Sequence, residues 1–149
     1  MKAGWMTMAL AFVATFAFLF VVGTSGAGPD ADTDGDGTQD NQDNCLTVAN
    51  ADQLDSNADG YGNVCDFDWD NNGSVGSGDF GRLVAGFGSV PGDANYNQDV
   101  DCNGDETIGS AEFGCLVSGF GAAPGPSGRS CAGTTPCPTG PVLSFTTTP

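Results

Sequence analysis

The sequence predicts a small, irregular fold with little β-strand, in which bound metal ions and disulfide bonds stabilise acidic loops and two short helices. Three observations lead to this prediction. The chain of 149 residues has 19 acidic but only 3 basic residues, it has 6 cysteines and no histidine, and a helix-like apolar pattern occurs twice. Because so few large apolar side chains give a small core, disulfides and ions have to supply much of the stability.

The first 27 residues have the features of a secretory signal peptide. Lys2 supplies a positive charge, residues 8–22 form an uncharged apolar run, and Ser25 and Ala27 fit a cleavage site. An uncleaved membrane anchor is the alternative, but an apolar run of 15 residues is short against the roughly 20 that span a bilayer. We therefore expect a secreted or cell-surface protein, and six cysteines suit such an oxidising compartment.

The formal net charge of −16 limits the choice of partners. Cleavage of the signal would remove Lys2 and leave Arg82 and Arg129 as the basic residues. A surface this negative repels nucleic acid and anionic membranes, so neither is expected as a partner. The same repulsion opposes compaction unless cations neutralise it, and divalent cations are the obvious candidates.

A repeat with an offset of 33 residues predicts the two helices, since residues 78–92 match residues 111–125. Both copies have apolar residues at i, i+3, i+4 and i+7, which form one face of a helix of about three turns. Gly88 and Gly121 follow the last apolar residue of each copy, where a helix is expected to stop. We expect the two apolar faces to pack on each other. They consist of Phe80, Leu83, Val84, Phe87, Phe113, Leu116, Val117 and Phe120.

Four stretches of the chain have the ligand spacing of a twelve-residue calcium loop. Such a loop has side-chain oxygens at positions 1, 3, 5 and 12, a backbone carbonyl at position 7 and glycine at position 6. The stretches are 32–43, 55–66, 68–79 and 101–112, and the last two lead into the predicted helices. Oxygen ligands suit calcium better than zinc or copper, and magnesium prefers to keep its waters. The predicted ligands are Asp32, Asp34, Asp36, Thr38, Asp40, Asp43, Asp55, Asn57, Asp59, Tyr61, Asp66, Asp68, Asp70, Asn72, Ser74, Asp79, Asp101, Asn103, Asp105, Thr107 and Glu112.

The stretch 101–112 departs from this pattern, because Glu106 occupies position 6. A left-handed backbone costs a residue other than glycine roughly 1–2 kcal/mol. A register that starts at Asp99 brings Gly104 to position 6 but puts Ser110 at position 12. Since neither register fits fully, we expect this site to be the weakest or the most distorted.

Residues 32–45 (DTDGDGTQDNQDNC) and 50–66 (NADQLDSNADGYGNVCD) resemble a pair of thrombospondin type 3 repeats. These repeats are aspartate-rich modules that wrap around calcium, and the match covers about 35 residues. Three positions depart from the family pattern, since Leu46 and Ala51 replace prolines and Asn63 replaces an aspartate. The resemblance implies a segment that is organised by calcium rather than by a core.

Residues 66–123 resemble a dockerin, a duplicated module of calcium loop and helix. The resemblance implies calcium in both loops, and in that family the helices can dock onto a cohesin partner. Positions 10 and 11 are Ser77-Gly78 and Ser110-Ala111, and only the serines match the polar pair that cellulosomal dockerins use for contact. The resemblance therefore favours calcium binding more than cohesin binding.

The repeat also predicts two side-chain contacts. Cys102 and Cys115 of the second copy align with Trp69 and Arg82 of the first. If the copies share a fold, both pairs lie beside the first helical turn. We therefore predict a disulfide between the two cysteines and a cation–π contact between the tryptophan and the arginine.

The remaining four cysteines are assigned less directly, since six cysteines allow fifteen pairings. The thrombospondin resemblance implies a disulfide between Cys45 and Cys65. Cys131 and Cys137 can close a small loop, but their pairing stays open. Metal or redox chemistry is the alternative, which the lack of histidine and of CxxC spacing disfavours.

Val75 and Ile108 add a further expectation about the loops, because both occupy position 8. At this position the two loops of an EF-hand-like pair can meet in a short β contact. We expect that contact between these two residues.

The predicted organisation has four parts. They are a signal peptide at 1–27, thrombospondin type 3-like repeats at 28–66, a dockerin-like module at 66–123 and a flexible Pro/Gly/Ser/Thr-rich tail at 124–149.

The predicted function is a calcium-binding structural or interaction module that contributes to cell-surface adhesion or extracellular assembly, with an extracellular protein as partner. The alternative is a dockerin that recruits a cohesin-type partner into a polysaccharide-degrading assembly, which an exposed apolar helix surface would favour. We expect no enzyme activity. A hydrolase is disfavoured because the paired carboxylates lie in metal loops and the chain has no histidine or GxSxG motif.

Overall fold

The computed structural model describes residues 31–138, so the predicted signal peptide at 1–27 and residues 139–149 of the predicted tail lie outside the described residues. Within the described range the chain forms two helices, α1 at Ser77–Gly86 and α2 at Ser110–Gly119. The other described residues form turns and irregular loops without β-strand. A small, mostly non-strand fold with two short helices is thus confirmed. No helix within residues 31–138 is long and apolar enough to cross a membrane.

Both helices end where the glycine pattern predicts. Each has 10 residues and is followed by a phenylalanine and then by Gly88 or Gly121, whose φ angles are 84° and 85°. Glycine adopts this left-handed conformation without steric strain, so it commonly follows the end of a helix.

The core lies between the two helices and the loops that precede them. One buried cluster contains Trp69, Val75, Leu83, Val100, Ile108 and Leu116, with Phe67 and Tyr96 packed against it. Four of the six buried residues come from loops rather than helices.

The predicted packing of the two helical faces is wrong for most of its residues. Leu83 and Leu116 are buried. Phe80 and Phe113 touch edge to face with ring centroids 6.4 Å apart, but they remain 45% and 49% exposed. The reason is that loop residues already fill the space beneath the helices, so each helix buries only a narrow side. The apolar helix-face residues with exposed fractions of 57–61% are Val84, Phe87, Val117 and Phe120.

The predicted β contact between Val75 and Ile108 is also wrong. Val75 exchanges two backbone hydrogen bonds with the segment that follows α2, at 2.8 and 2.9 Å. Ile108 exchanges two with the segment that follows α1, at 2.7 and 3.0 Å. The loop before α1 therefore pairs with the segment after α2, and the loop before α2 pairs with the segment after α1. The side chains of Val75 and Ile108 both enter the core.

The predicted cation–π contact between Trp69 and Arg82 is absent from the described residues. Trp69 is drawn into the core and is 2% exposed, whereas Arg82 stays at the surface, where its charge acts on Asp99. The aligned disulfide of the second copy does form, between Cys102 and Cys115. Trp69 and its aligned Cys102 are both buried, at 2% and 3% exposed, but only the cysteine contacts the residue at the second aligned position, so the alignment did not determine the partner of the tryptophan.

All six cysteines lie within residues 31–138 and all are disulfide-bonded. The pairs are Cys45–Cys65, Cys102–Cys115 and Cys131–Cys137. They join residues that are 20, 13 and 6 positions apart, so every cross-link is local. The pairing that the resemblance implies and the one that the repeat predicts are both confirmed, and the open pair closes on itself.

Residues 124–138 are packed against earlier parts of the chain, so the predicted flexible tail is wrong for this stretch. Ser127 Oγ donates a hydrogen bond to the carbonyl of Gly60 at 2.7 Å. Arg129 forms an ion pair with Asp55, with the Nη1 and Oδ2 atoms 3.8 Å apart. Further backbone hydrogen bonds join this segment to the acidic segment before residue 66. These bonds and the short disulfide fix a stretch whose composition alone indicates a loose chain.

We expect Gly119→Ala to destabilise the fold, because α2 approaches Phe67 closely at this residue. A Cβ atom at residue 119 would lie 2.7 Å from Cδ2 of Phe67, so the ring or the helix would have to move. Overpacking of this kind costs about 1–3 kcal/mol, which urea denaturation would measure. Gly114→Ala is the control, since its Cβ would have nothing within 4 Å and alanine favours a helix. Equal stability of the Gly119→Ala and wild-type chains would contradict the packing.

Candidate metal centres

Four acidic loops share one pattern of hydrogen bonds from backbone to carboxylate. We number them loop 1 (32–43), loop 2 (55–66), loop 3 (68–79) and loop 4 (101–112). In each, the N–H at position 6 donates to the aspartate at position 1, at 3.0, 2.9, 2.6 and 2.9 Å in chain order. In loops 1, 2 and 4 the N–H at position 7 also donates to the aspartate at position 5, at 2.6–2.9 Å. These bonds curl the backbone so that the acidic side chains converge.

Loop 1 has oxygens of Asp32, Asp34 and Asp36 within 4.8 Å of one another. Asp43 is fully buried beside them. The Oδ2 atoms of Asp34 and Asp43 are buried and have no hydrogen-bond partner among the described residues. Burial and the neighbouring carboxylates raise the pKa of Asp34. Buried oxygens without a partner are costly, and a cation between them would remove that cost.

Two other predicted ligands of loop 1 are held by hydrogen bonds. Asp40 accepts two bonds from Thr33, at 2.7 and 2.9 Å, so both of its oxygens are engaged. Burial acts to raise the pKa of Asp36, but the N–H groups of Thr38 and Asn50 outweigh it and the pKa is lowered. Asp36 is therefore the most readily ionised of the shifted carboxylates in this loop.

Loop 3 has oxygens of Asp68, Asp70 and Asp79 within 4.8 Å of one another. Asp79 is fully buried at the start of α1, where it accepts the N–H of Gly76 at 2.6 Å and that of Asp70 at 2.9 Å. Burial and the charges of Asp79 and Asp70 raise the pKa of Asp68, against the hydrogen bonds that it accepts. The carboxylate of Asp79 thus both caps the start of α1 and completes the acidic group of loop 3.

Loop 4 has the equivalent group, formed by Asp101, Asp105 and Glu112. Glu112 is fully buried at the start of α2 and accepts the N–H of Gly109 at 2.6 Å. The hydroxyl of Tyr96 donates to Asp101 at 2.9 Å. Loops 3 and 4 therefore place a fully buried carboxylate at the same point relative to their helices.

Loop 4 adopts the register that starts at Asp101 rather than at Asp99. Glu106 takes the left-handed conformation that position 6 requires, with φ of 64°, and its N–H donates to Asp101 at 2.9 Å. Glu106 therefore adopts the left-handed backbone despite the free-energy cost expected for a residue other than glycine. The three carboxylates of this loop still converge, within the same 4.8 Å as those of loop 3.

Loop 2 differs from the other three. Within residues 31–138, groups of three acidic side chains with oxygens inside 4.8 Å occur in loops 1, 3 and 4 but not in loop 2. Its first aspartate, Asp55, is paired with Arg129. Asp59 and Asp66 are buried, and Oδ2 of Asp66 has no hydrogen-bond partner in the described part of the chain.

The predicted amide and carbonyl ligands lie beside these carboxylates. The Oδ1 atoms of Asn57 and Asn103 accept the N–H groups of the next acidic residues at 3.1 and 3.0 Å, and the amide of Asn72 contacts Asp70. The position-7 carbonyls accept no backbone hydrogen bond within residues 31–138, which leaves them available to a cation. Those carbonyls belong to Thr38, Tyr61, Ser74 and Thr107.

Charge balance indicates that the acidic groups need a counterion. Among the described residues the ion pair between Arg129 and Asp55 is the single salt bridge. Asp43, Asp79 and Glu112 are fully buried carboxylates without a basic partner in that range. Burying an ionised carboxylate without compensation costs several kcal/mol. All these groups are oxygen donors, so loops 1, 3 and 4 can each hold a hard metal ion.

The metal-free chain is expected to gain structure as the pH falls from about 8 to 5. Burial and the charges of Asp59 and Asp99 raise the pKa of Asp66 to about 8, and burial and the charges of Asp59 and Asp55 raise that of Asp99 to about 7. The folded state therefore binds protons that the unfolded state releases near 3.8. The resulting stabilisation is full below that value and is lost as the pH rises through the folded pKa values.

Circular dichroism of the metal-free chain at a series of pH values would measure this effect. With saturating divalent metal the trend is expected to reverse, because protons compete with the ion for the carboxylates. A metal-free signal that is independent of pH, or that grows toward pH 8, would contradict the burial of these two groups.

Comparison with known proteins identified no relative of this chain. A scan against protein-family models, a search of curated proteins and a search of solved structures each found no match. The likeness of the motifs to thrombospondin type 3 repeats and dockerins therefore remains a prediction from the sequence.

Three residues shape these sites in ways that the sequence did not predict, although Asn63 was already placed at position 9 of loop 2. Asp99 was considered as the start of an alternative loop 4, but it lies against loop 2 and contacts Asn57. Tyr96 binds Asp101, and Asn63 binds the carbonyl of Gln98 at 2.8 Å. The replacement of an aspartate by Asn63 was the one visible signal, because only the amide can donate such a bond.

Proposed function

We propose that this chain is an extracellular calcium-binding module in which calcium ions complete the acidic groups of loops 1, 3 and 4. The observation that carries the proposal is the full burial of Asp79 and Glu112, each gathered with two further acidic side chains within 4.8 Å. Each group has two buried members, and three carboxylates this close repel one another unless a cation lies between them.

Calcium is the preferred ion for chemical reasons. Carboxylates, amides and backbone carbonyls are hard ligands, and their number in each loop suits the six to eight oxygens that calcium takes. Magnesium keeps most of its waters and would leave many of these oxygens unused. Zinc and copper prefer histidine and cysteine, of which the chain has none free for this purpose.

Calcium would act by organising the helices. Asp79 and Glu112 both hold the first turn of a helix and belong to a metal group. Loss of the ion would leave unbalanced charge at the start of α1 and α2. The module would therefore be rigid at extracellular calcium levels and would serve as a structural or interaction element in adhesion or extracellular assembly.

A second candidate function is favoured by the exposed helix surface. This surface, which we call the helix patch, lies on both helices and the residues that follow them. It has exposed apolar side chains where a packed helix pair would have buried ones. Its members are Phe80, Val84, Phe87, Phe113, Val117 and Phe120. Exposed apolar groups of this kind mark surfaces that bind proteins, which agrees with a dockerin that docks onto a cohesin-type partner.

Isothermal titration of the disulfide-bonded chain with calcium, with magnesium as the control, tests the proposed function. At least three calcium ions are expected to bind, and magnesium is expected to bind much more weakly. A chain that binds no calcium at millimolar concentration would overturn the proposal.

The second candidate has a separate test. If the chain is a dockerin, a cohesin domain would bind it in calcium, and the double variant Phe87→Ser/Phe120→Ser would lose that binding while keeping its calcium sites. If no cohesin binds the wild-type chain, the dockerin candidate fails and the calcium module stands.

A further inference from the structure

Arg129 forms the ion pair that distinguishes loop 2 from the other loops. Its Nη1 atom lies 3.8 Å from Oδ2 of Asp55, the aspartate at position 1, and the two side chains are 9% and 2% exposed. The same Oδ2 accepts the N–H of Gly60 at 2.9 Å, so Asp55 keeps the backbone contact of a position-1 aspartate. The position-1 aspartates of the other loops form no ion pair within residues 31–138, and they are Asp32, Asp68 and Asp101.

The guanidinium of Arg129 is held in place by contacts within its own segment. Its Nη2 atom donates to the carbonyl of Pro138 at 3.1 Å, and its backbone N–H donates to Oγ of Ser127 at 3.2 Å. The disulfide between Cys131 and Cys137 closes the stretch between the arginine and that carbonyl. The positive charge is therefore fixed beside Asp55 rather than placed there by a freely moving side chain.

The segment that carries Arg129, residues 124–138, also binds the backbone of loop 2, and we call it the clasp. The carbonyls at positions 4, 5 and 6 of loop 2 accept hydrogen bonds from it, at 2.7, 2.8 and 2.7 Å. The donors are, in that order, the N–H groups of Cys137 and Gly133 and the Oγ atom of Ser127. The equivalent carbonyls of loops 1, 3 and 4 accept no backbone hydrogen bond within the described range 31–138.

Packing at position 6 separates loop 2 from the other glycine-containing loops as well. A Cβ atom at Gly60 would lie 2.6 Å from Sγ of Cys137 and 2.9 Å from Cα of Ala132. At Gly37 and Gly73, the equivalent residues of loops 1 and 3, a Cβ atom would have nothing within 4 Å. The clasp thus covers the bend of loop 2, whereas the bends of loops 1 and 3 are open.

We infer that Arg129 supplies to Asp55 the positive charge that calcium supplies to the position-1 aspartates of loops 1, 3 and 4. Loop 2 is then held by the clasp and not by an ion bound at Asp55. This agrees with the finding that, among residues 31–138, loop 2 gathers no three acidic side chains with oxygens inside 4.8 Å. A buried carboxylate is costly without compensation, and an arginine fixed beside it compensates it as an ion would. The inference deepens the proposed function and rests on it, since it assumes calcium in the other three loops.

Calcium titration of the disulfide-bonded chain tests whether Asp55 holds an ion. Asp55→Asn keeps an oxygen that can accept the N–H of Gly60 but removes the charge, and it is expected to bind as many calcium ions as the wild type. Asp68→Asn makes the same change at position 1 of loop 3, and it is expected to bind one ion fewer or to bind it at least about 10-fold more weakly. The double variant Asp55→Asn/Arg129→Gln removes both charges of the pair and is also expected to keep the full number.

The loss of one calcium ion in Asp55→Asn or in the double variant would overturn the inference, while the other loops still bind. A wild-type chain without any calcium binding would overturn the proposed function instead. The two failures are therefore distinguishable.

Thermal unfolding in saturating calcium tests the role of the positive charge. Arg129→Gln leaves the buried side chain of Asp55 without its partner, so its melting temperature is expected to fall by at least about 5 °C. Arg129→Lys keeps the charge and is expected to remain closer to the wild type. Arg82→Gln is the control, since it removes the same charge from an exposed arginine, and it is expected to match the wild type. An unchanged melting temperature in Arg129→Gln, or equal losses in the glutamine and lysine variants, would overturn the inference.

Discussion

Removal of calcium from the disulfide-bonded chain is expected to abolish most of its helical signal and its fixed tertiary structure. The core cluster has six residues, and a core of this size supplies only a few kcal/mol. Each ion that binds the folded state alone adds about 2.7 kcal/mol at a hundredfold excess over its dissociation constant, and three such ions would add about 8 kcal/mol. The disulfides stabilise the chain too, by about 3 kcal/mol for a loop of roughly 15 residues. They are present with and without calcium, however, and they do not relieve the repulsion between carboxylates that removal of the ions leaves behind.

Far- and near-ultraviolet circular dichroism before and after addition of a chelator would measure this loss. Calcium is expected to restore both signals, and magnesium at the same concentration is expected to restore little. Extracellular modules of this kind bind calcium at roughly 10⁻⁴–10⁻³ M, so chelation should be complete. A chelator that leaves the spectra unchanged would show that core and disulfides suffice, and the structural role of calcium would be lost.

Replacement of Glu112 by glutamine is expected to remove calcium from loop 4. Glutamine has the same shape and can still accept the N–H of Gly109 through its carbonyl oxygen, so the helix start is kept. It cannot supply the negative charge that Glu112 gives to a cation in the group with Asp101 and Asp105. We expect the affinity of this site to fall about 100-fold, or by about 2.7 kcal/mol.

Glu106→Gln is the matched control for this variant. It makes the same chemical change in the same loop, but Glu106 is exposed and lies outside the converging group. Calcium titration is expected to show one site weakened in Glu112→Gln and all sites retained in Glu106→Gln. Equal losses in both variants would mean that overall charge, rather than ligand position, governs binding.

The features that sequence reasoning predicted correctly depend on contacts between near neighbours. The residues of loop 4 that converge all lie between Asp101 and Glu112, so their spacing alone indicates that they meet. The confirmed disulfides are local as well, and the helix ends follow from single glycines such as Gly88. Over such short separations, the spacing of the residues along the chain largely determines which of them can come into contact.

The features that it missed depend on competition between distant parts of the chain. Leu83 and Phe87 lie on one helical face, but Leu83 is buried and Phe87 is exposed because residues such as Trp69 and Ile108 take the space. Asp99 reaches Asn57 across 42 residues, and no local spacing predicts that contact. The packing of residues 124–138 has the same origin, since its partners lie far earlier in the sequence.

Native mass spectrometry of the disulfide-bonded chain in calcium would test the central claim most directly, because it counts the ions that each folded molecule holds. A dominant species with three calcium ions is expected, one in each of loops 1, 3 and 4. Glu112→Gln is expected to reduce that number by one. A chain that carries no calcium ions under these conditions, or that carries as many magnesium ions, would contradict the claim that specific calcium sites build this fold.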